Sequence, residues 1–316
     1  MGAVAAAVGS RASVLPGVVL VGLLCMVTAG CTCTPSAAGP AHDALPETIQ
    51  NSLGMKLVLV RPGKFTVEVT GDVRWRSQVV EGNKRLQVAD IKKRTQVAEV
   101  RQCLYVAETE VTNAQLECFL KYHRRRVRND PKAVFVDADE HPATYVSWLE
   151  ADAFCYWLSR KEGKRYRLLY AEEWAYCAHA GQPTVFCWGD SWPPRPDDGS
   201  LRYVDSDLHE LNTAPDKDGY ILTSPVKAFR ANRWGLYGFA GNVSEWVLGA
   251  FVWPHRPSVS ALGVDARLCM GANWTFEVPL MGGYPDRRQF ECGYVFPHDA
   301  TNRKCYVGFR VALEVE

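Results

Sequence analysis

The sequence predicts one domain of mixed helices and short strands, in which long ordered loops outnumber the regular elements. Ten tryptophans and thirteen tyrosines among 316 residues favour turn-rich aromatic packing over a plain helical bundle. From Gly181 onward the chain is mostly glycine, proline, aspartate and aromatic residues with little periodicity, which indicates loops pinned to a small core. No internal repeat or second linker interrupts the region 47–316, so we assign it to a single domain.

The composition sets limits on partners. At 47% hydrophobic and 22% charged residues the chain can bury a full core. Its formal net charge is +1, so no global charge draws it towards nucleic acid.

The first thirty residues are typical of an export signal. Arg11 is their only charge, and Val14–Val27 is apolar but short for a membrane span. The following Thr28-Ala29-Gly30-Cys31 resembles the lipobox of bacterial lipoproteins, although Thr28 replaces the usual leucine. The resemblance implies that Cys31 is diacylated and that the protein is anchored to a bacterial membrane, at the periplasmic face or the cell surface. The alternative is an ordinary secretory peptide that is cleaved nearby. Residues 31–46 are then a flexible tether.

The regular elements can be placed in chain order. Leu57–Val60 predicts a short strand that enters a turn at Pro62-Gly63. The stretch 66–101 is polar and basic. Alternation such as Leu86 with Val88, or Leu104 with Val106, predicts hairpin strands with solvated faces.

Three helices are predicted from caps and periodicity. The first begins after Thr112 or Asn113, either of which can cap it. The second follows Ser147 and ends at Gly163, with an apolar face that includes Ala151 and Phe154. The third spans 171–180, and Tyr170 gives it a poorer cap than a threonine would.

Several motifs resemble those of the formylglycine-generating enzyme and its sulfatase-modifying-factor-like relatives. They are Glu-Val-Thr-Asn at 110–113, the block 141–148, Phe-Cys-Trp-Gly-Asp at 186–190, Gly-Asn-Val-Ser-Glu-Trp at 241–246 and Gly-Phe-Arg-Val-Ala-Leu at 308–313. Their order and spacing cover most of the chain. The resemblance implies a single irregular α+β domain related to C-type lectins, with low regular secondary structure.

The cysteine pair that binds copper in that family is not found at the matching position of this sequence. The enzymes bind copper(I) with two closely spaced cysteines just after a Gly-Gly-Ser-type strand. Here that stretch reads Met-Gly-Ala-Asn-Trp at 270–274, and no cysteine follows until Cys292. Soft thiolates are what copper(I) requires, so we expect no copper site and name no catalytic residue. The alternative is an oxidase that places its thiols differently, with Cys269 and Cys292 converging in space.

The resemblance also implies a structural role for other cysteines. It matches Cys177 and Cys292 to a disulfide of the family. Cys155 matches another half-cystine, for which Cys305 could substitute as the partner. After export, such cysteines are more often paired than metal-bound.

Calcium is the other cofactor that the resemblance implies. One site would use the Asp218 side chain and the Tyr220 carbonyl, but Arg202 falls on the position of a ligand asparagine. The second would use the carbonyls of Gly241 and Val243 with the Glu245 carboxylate. At this second site Gly238 replaces a ligand residue. One carboxylate then remains, whereas calcium is coordinated by six to eight oxygens.

Two functions follow as hypotheses. The first is a non-catalytic, membrane-anchored module that binds a protein or carbohydrate ligand through its late loops. Aromatic residues and arginine dominate binding hot spots, and the region between Gly271 and Gly308 is rich in both. The ligand-surface candidates are Trp274, Tyr284, Arg287, Arg288 and Tyr294. The second hypothesis is the copper-dependent oxidase.

Overall fold

The computed structural model describes residues 45–80, 84–124, 136–191, 220, 222–239, 241–249, 266–274 and 290–315. Of 67–80, 84–94, 96 and 296 it describes the backbone only. The described residues belong to one compact unit spanning 40–316. No helix in these ranges is long and apolar enough to cross a membrane. The predicted export signal, Cys31 and most of the tether lie outside the described residues.

Eleven strands and three helices are named here from the described ranges. The strands are β1 (Thr48–Gln50), β2 (Lys56–Val60), β3 (Gly63–Val80), β4 (Lys84–Val100), β5 (Leu104–Ala107), β6 (Tyr166–Leu168), β7 (Ser244–Val247), β8 (Ala266–Met270), β9 (Val295–Asp299), β10 (Val307–Phe309) and β11 (Val311–Glu314). The helices are α1 (Asn113–Glu117), α2 (Trp148–Glu162) and α3 (Ala171–His179). Most of the strands are short, which agrees with the predicted irregular α+β fold.

The strands form three sheets. A five-stranded sheet has the order β1-β2-β5-β11-β6, and all its neighbours are antiparallel. A four-stranded sheet has the order β10-β7-β8-β9, with a parallel pair between β10 and β7. The predicted hairpin is confirmed as the two-stranded ribbon β3–β4, whose register shifts between Thr70 and Val73.

The local signals for the helices are confirmed. Thr112 caps α1, and its hydroxyl accepts from the Gln115 N–H. Ser147 caps α2 in the same way, and Gly163 ends the helix with a φ of 65°. Tyr170 gives α3 no side-chain cap, as predicted; instead the Glu173 carboxylate accepts from the Tyr170 N–H at 2.9 Å.

Two core layers lie on opposite faces of the five-stranded sheet. Alternate residues of β2 divide between them: Leu57 and Leu59 pack in the layer that α2 covers, and Val58 and Val60 in the layer that α3 covers. The predicted solvated face at Leu104 and Val106 is wrong, because β5 is an inner strand and all four of its residues are buried.

Candidate functional site

The segment that follows β8 is the position at which the family's copper ligands would be expected. Gly271 makes the turn with a φ of 83°, and its carbonyl accepts from the Ser244 hydroxyl at 2.7 Å. Asn273 donates to the same hydroxyl at 2.8 Å. The Trp274 amide donates to the Asn242 carbonyl, and its indole N–H donates to the Cys305 carbonyl at 3.2 Å. Residues 270–274 therefore form a hydrogen-bonded turn without a thiol.

The thiols of Cys269 and Cys292 lie in different core layers. Along β8, Leu268 and Met270 pack in the layer that α3 covers, and Cys269 between them packs in the layer that α2 covers. Cys292 belongs to the layer of α3. Burial raises the pKa of both thiols well above its usual range. The described geometry does not bring these two sulfurs together, which contradicts the convergence on which the oxidase hypothesis depends.

Cys177 and Cys292 are not bonded to each other. Both thiols are free and buried, and burial raises the pKa of each. The Cys292 thiol is instead hydrogen-bonded to Cys187, a contact that the sequence analysis missed. The only sequence signal for it is that Cys187 lies within one of the family-like motifs, Phe-Cys-Trp-Gly-Asp. Cys155 is also a free thiol, on the buried face of α2.

A buried ion pair occupies the position of the second predicted calcium site. Both Glu245 carboxylate oxygens accept from Arg310, at 2.5 to 2.9 Å, and the Trp174 indole N–H donates to one of them at 2.8 Å. Glu245 and Arg310 side chains are 0% and 1% exposed. A divalent cation at this carboxylate would meet a guanidinium instead of oxygen ligands. The residues around Glu245 therefore do not fit calcium, even though Gly241 and Val243 lie close to it in the chain.

The Glu110 carboxyl group is buried beside this ion pair. Its Oε1 accepts from Asn242 Nδ2 at 3.0 Å, and its Oε2 has no hydrogen-bond partner among the described residues. Desolvation raises its pKa to about 7, and the positive charge of Arg310 opposes that shift only in part. The carboxyl group fills the space beside Gly238, where a Cβ atom would overlap it. A side chain at position 238 would therefore require the Glu110 carboxyl group to move.

The other predicted site residues are only partly described. Tyr220 is half-buried, and its ring meets that of Phe229 edge-on at 6.0 Å. Its proposed calcium partner Asp218 lies outside the described residues, as do Arg202 and the ligand-surface candidates Tyr284, Arg287 and Arg288. The calcium site at Asp218 and Tyr220 therefore stays a prediction.

The late-loop surface needs one correction. Trp274 is 6% exposed, because both of its N–H groups are directed into the protein. It is a structural residue of the turn and presents no ligand surface. Tyr294 is half-buried, and its carbonyl accepts from the Gly271 N–H at 3.3 Å.

A small cavity of about 190 Å³ lies beside the Cys187 thiol. Its lining includes residues of the family-like motif 186–190 and of the segments 224–239 and 241–242. Among the lining residues are Cys187, Trp188, Ser224, Asn232, Tyr237 and Phe239. The Ser224 hydroxyl is buried and has no hydrogen-bond partner among the described residues. The cavity is smaller than the usual 300–1,000 Å³ of a small-molecule site, so it could hold only a small group.

A model of the sulfatase-modifying factor enzyme 1-like domain matches residues 43–315. The formylglycine-generating enzyme of Streptomyces coelicolor is 33% identical over 147 residues, which are 42% of this chain and 42% of that enzyme. The inactive C-alpha-formylglycine-generating enzyme 2 of Mus musculus is 34% identical over 138 residues, 43% of this chain and 38% of that protein. The chain thus matches less than half the length of these curated relatives.

Solved structures share the fold at low sequence identity. PvdO from Pseudomonas aeruginosa superposes with a TM-score of 0.59 at 22% identity, over 85% of this chain and 98% of PvdO. Treponema denticola variable protein 1 superposes with a TM-score of 0.52 at 16% identity, over 85% of this chain and 99% of that protein. These similarities concern the fold alone, and they agree with the predicted irregular α+β domain.

Proposed function

Because this chain belongs to the sulfatase-modifying factor enzyme 1-like domain family, we propose that it uses the family's scaffold as a non-catalytic, membrane-anchored module that binds a protein or carbohydrate ligand. The observation that carries the proposal is the placement of Cys269 and Cys292 in separate core layers. A copper(I) site needs thiolates that converge on one ion. Burial keeps both of these groups as thiols, because it raises the pKa of each.

The relatives alone do not decide between the two functions. One match is named a formylglycine-generating enzyme and another an inactive one, at 33% and 34% identity. The position of the thiols is therefore the better criterion. In the sequence no cysteine lies between Met270 and Glu291, where the family-like resemblance would place the metal ligands.

Catalysis can be tested directly. The reduced protein would be supplied with copper(I) and dioxygen together with a cysteine-containing peptide, and aldehyde formation would be followed by mass spectrometry. The Streptomyces coelicolor enzyme serves as the positive control. We expect no aldehyde product. Conversion of the peptide cysteine that is lost in Cys269→Ser would reject the proposal and support the oxidase.

The membrane anchor is tested at Cys31. If this cysteine carries acyl chains, the protein expressed in bacteria should enter the detergent phase of a phase-separating detergent and incorporate labelled palmitate. Cys31→Ser should move it to the aqueous phase and abolish labelling. Cys33→Ser is the matched control, two residues away, and should change neither. Unchanged labelling in Cys31→Ser would reject the anchor.

The ligand surface is proposed to include Tyr284, Arg287, Arg288 and Tyr294, with Trp274 now excluded. Binding would be screened on an array of glycans and purified cell-envelope proteins. We expect Arg287→Ala combined with Arg288→Ala to abolish the signals that the unaltered protein gives. Arg160→Ala, on the exposed side of α2, is the control and should keep them. Equal binding by the two variants would reject this surface.

A further inference from the structure

A tight turn brings Cys187 next to Cys292. The turn is closed by two backbone hydrogen bonds between Phe186 and Gly189, at 2.9 and 3.0 Å. The rings of Phe186 and Trp188 stack at 4.8 Å with an interplanar angle of 2°. The Cys292 N–H donates to the Val185 carbonyl at 3.2 Å, so the segment before β9 is attached to the start of this turn.

The side chains of Cys187 and Cys292 contact each other next to this backbone hydrogen bond. The Cys292 thiol is hydrogen-bonded to Cys187, and the Cys187 thiol also donates to the Phe239 carbonyl at 3.2 Å. Cys187 is half-buried and lines the 190 Å³ cavity, whereas Cys292 is 1% exposed. Cys187 is therefore the more accessible cysteine of the pair.

We propose that Cys187 and Cys292 are a disulfide-forming site, oxidised by exchange with the disulfide of a thiol–disulfide oxidoreductase or a small-molecule disulfide. This proposal is independent of the proposed ligand-binding function. It assigns Cys292 a different partner from Cys177, the partner that the family resemblance implies.

The exchange is balanced in two steps. The Cys187 thiolate attacks one sulfur of the oxidant, which breaks the oxidant's S–S bond and releases its other sulfur as a thiol. Cys292 then attacks the Cys187 sulfur of the mixed disulfide and gives its proton to the second half of the oxidant, which leaves as a thiol. The two protons of the cysteines end on the two released thiols, and the two electrons pass from the cysteine pair to the oxidant.

The surroundings of Cys177 explain the choice of partner. Cys177 is fully buried in the last turn of α3, and its carbonyl accepts from Asn232 Nδ2 at 2.8 Å. The charged groups that act on its thiol are Glu173, Arg310 and Glu245. Cys187 lies in a turn instead of a helix, and it already contacts Cys292. A Cys187–Cys292 bond would replace the hydrogen bond to Phe239 and tie the cavity wall to the segment before β9.

The test maps the connectivity in the full-length chain. Cys118→Ser is used as the background, because Cys118 is exposed and could form bonds between molecules. The protein is equilibrated with glutathione and its disulfide at several ratios, quenched with acid and alkylated. It is then digested without reduction and analysed by mass spectrometry. We expect a cross-linked peptide pair that contains Cys187 and Cys292, and a matching loss of alkylation at both.

Two variants sharpen the assignment. Cys177→Ser should keep the cross-link, and Cys187→Ser should leave Cys292 fully alkylated after denaturation. Since the mapping needs neither variant, a folding failure of either one leaves the test intact. A Cys177–Cys292 cross-link, or complete alkylation of Cys187 and Cys292 at the most oxidising ratio, would overturn the proposal. Neither result bears on aldehyde formation or on ligand binding, so the two proposals fail separately.

Discussion

The guanidinium of Arg310 forms an ion pair with the carboxylate of Glu245 inside the core, where neither side chain has more than 1% of its surface exposed. The remaining donors of Arg310 reach backbone oxygens: Nη2 donates to the Tyr237 carbonyl at 2.8 Å and Nη1 to that of Ala107 at 3.4 Å. The pair therefore links β10–β11 and β7 to the loop before β7 and to the end of β5.

We predict that Glu245→Ala lowers the free energy of unfolding by about 3–5 kcal/mol, because it leaves a buried guanidinium without its counter-ion. Urea denaturation measures the loss. The control is Glu47→Ala, which breaks the exposed pair between Glu47 and Arg61 and should lower the free energy of unfolding far less. Similar losses in the two variants would contradict a special role for the buried pair.

Because His179 is buried, we predict that the protein loses stability in acid. Its ring is buried and meets Phe65 edge-on at 5.2 Å, and desolvation lowers its pKa from 6.5 to about 4. The unfolded chain binds a proton below pH 6.5, and the folded chain does so only near pH 4. This contribution to stability is thus complete above pH 6.5 and is lost as the pH falls towards 4, by up to ~3 kcal/mol.

His179→Leu should remove that part of the pH dependence. The measurement is the free energy of unfolding at pH 7.5 and at pH 4.5 for both proteins. The decrease between the two values should be smaller in the variant, whatever its stability at pH 7.5. An identical decrease would mean that His179 is accessible to protons in the folded state.

Buried Glu110 should give the opposite pH dependence of stability. Its pKa is raised from 4.5 to about 7, chiefly by desolvation, so the folded chain retains a proton that the unfolded chain releases. The stability contributed by the neutral carboxyl group is complete below pH 4.5 and falls as the pH rises through about 7. Glu110→Gln keeps the shape without the titrating proton. Its free energy of unfolding should therefore decrease less between pH 5 and pH 8 than that of the unaltered protein.

Replacing Gly238 should cost stability for two reasons, a steric overlap and backbone strain, and the two costs can be measured separately. Gly238 has a φ of 77°, and a Cβ there would overlap the Glu110 carboxyl group. Gly163 has a similar φ of 65° but no atom within 4 Å of its Cβ position. Gly163→Ala should therefore cost about 1–2 kcal/mol from the left-handed conformation alone, and Gly238→Ala clearly more.

A double substitution completes that test. With Glu110→Ala the space beside Gly238 opens, so the additional cost of Gly238→Ala should shrink towards that of Gly163→Ala. Thermal or urea unfolding of the single and double variants gives the coupling between positions 110 and 238. If the costs of the two single substitutions simply add in the double variant, the Glu110 carboxyl group does not fill the space beside Gly238.

The sequence predicted those parts of the fold that depend on near neighbours. The caps at Thr112 and Ser147 and the end of α2 at Gly163 rest on residues within one helical turn, and the structure confirms them. The β3–β4 hairpin is also a local feature. The solvated face expected for β5 was wrong because its burial is decided by distant segments, β2 and β11, which flank it on both sides.

The candidate sites were harder to predict because their contacts join remote parts of the chain. No local pattern indicates that Glu110 lies against Gly238, or that Arg310 satisfies Glu245. Cys187 could be found only by asking which cysteine falls near Cys292 in space. The resemblance supplied positions for ligands, but the identity of the atoms that now surround Glu245 depends on packing.

The fit of Glu110 beside Gly238 also limits which side chains position 238 can accept. A single substitution that placed an acidic side chain there would bring its Cβ atom against the Glu110 carboxyl group. Glu110 would have to move, or position 110 would have to change as well, before a carboxylate at 238 could bind an ion. Engineering a cation site into this loop therefore begins at position 110.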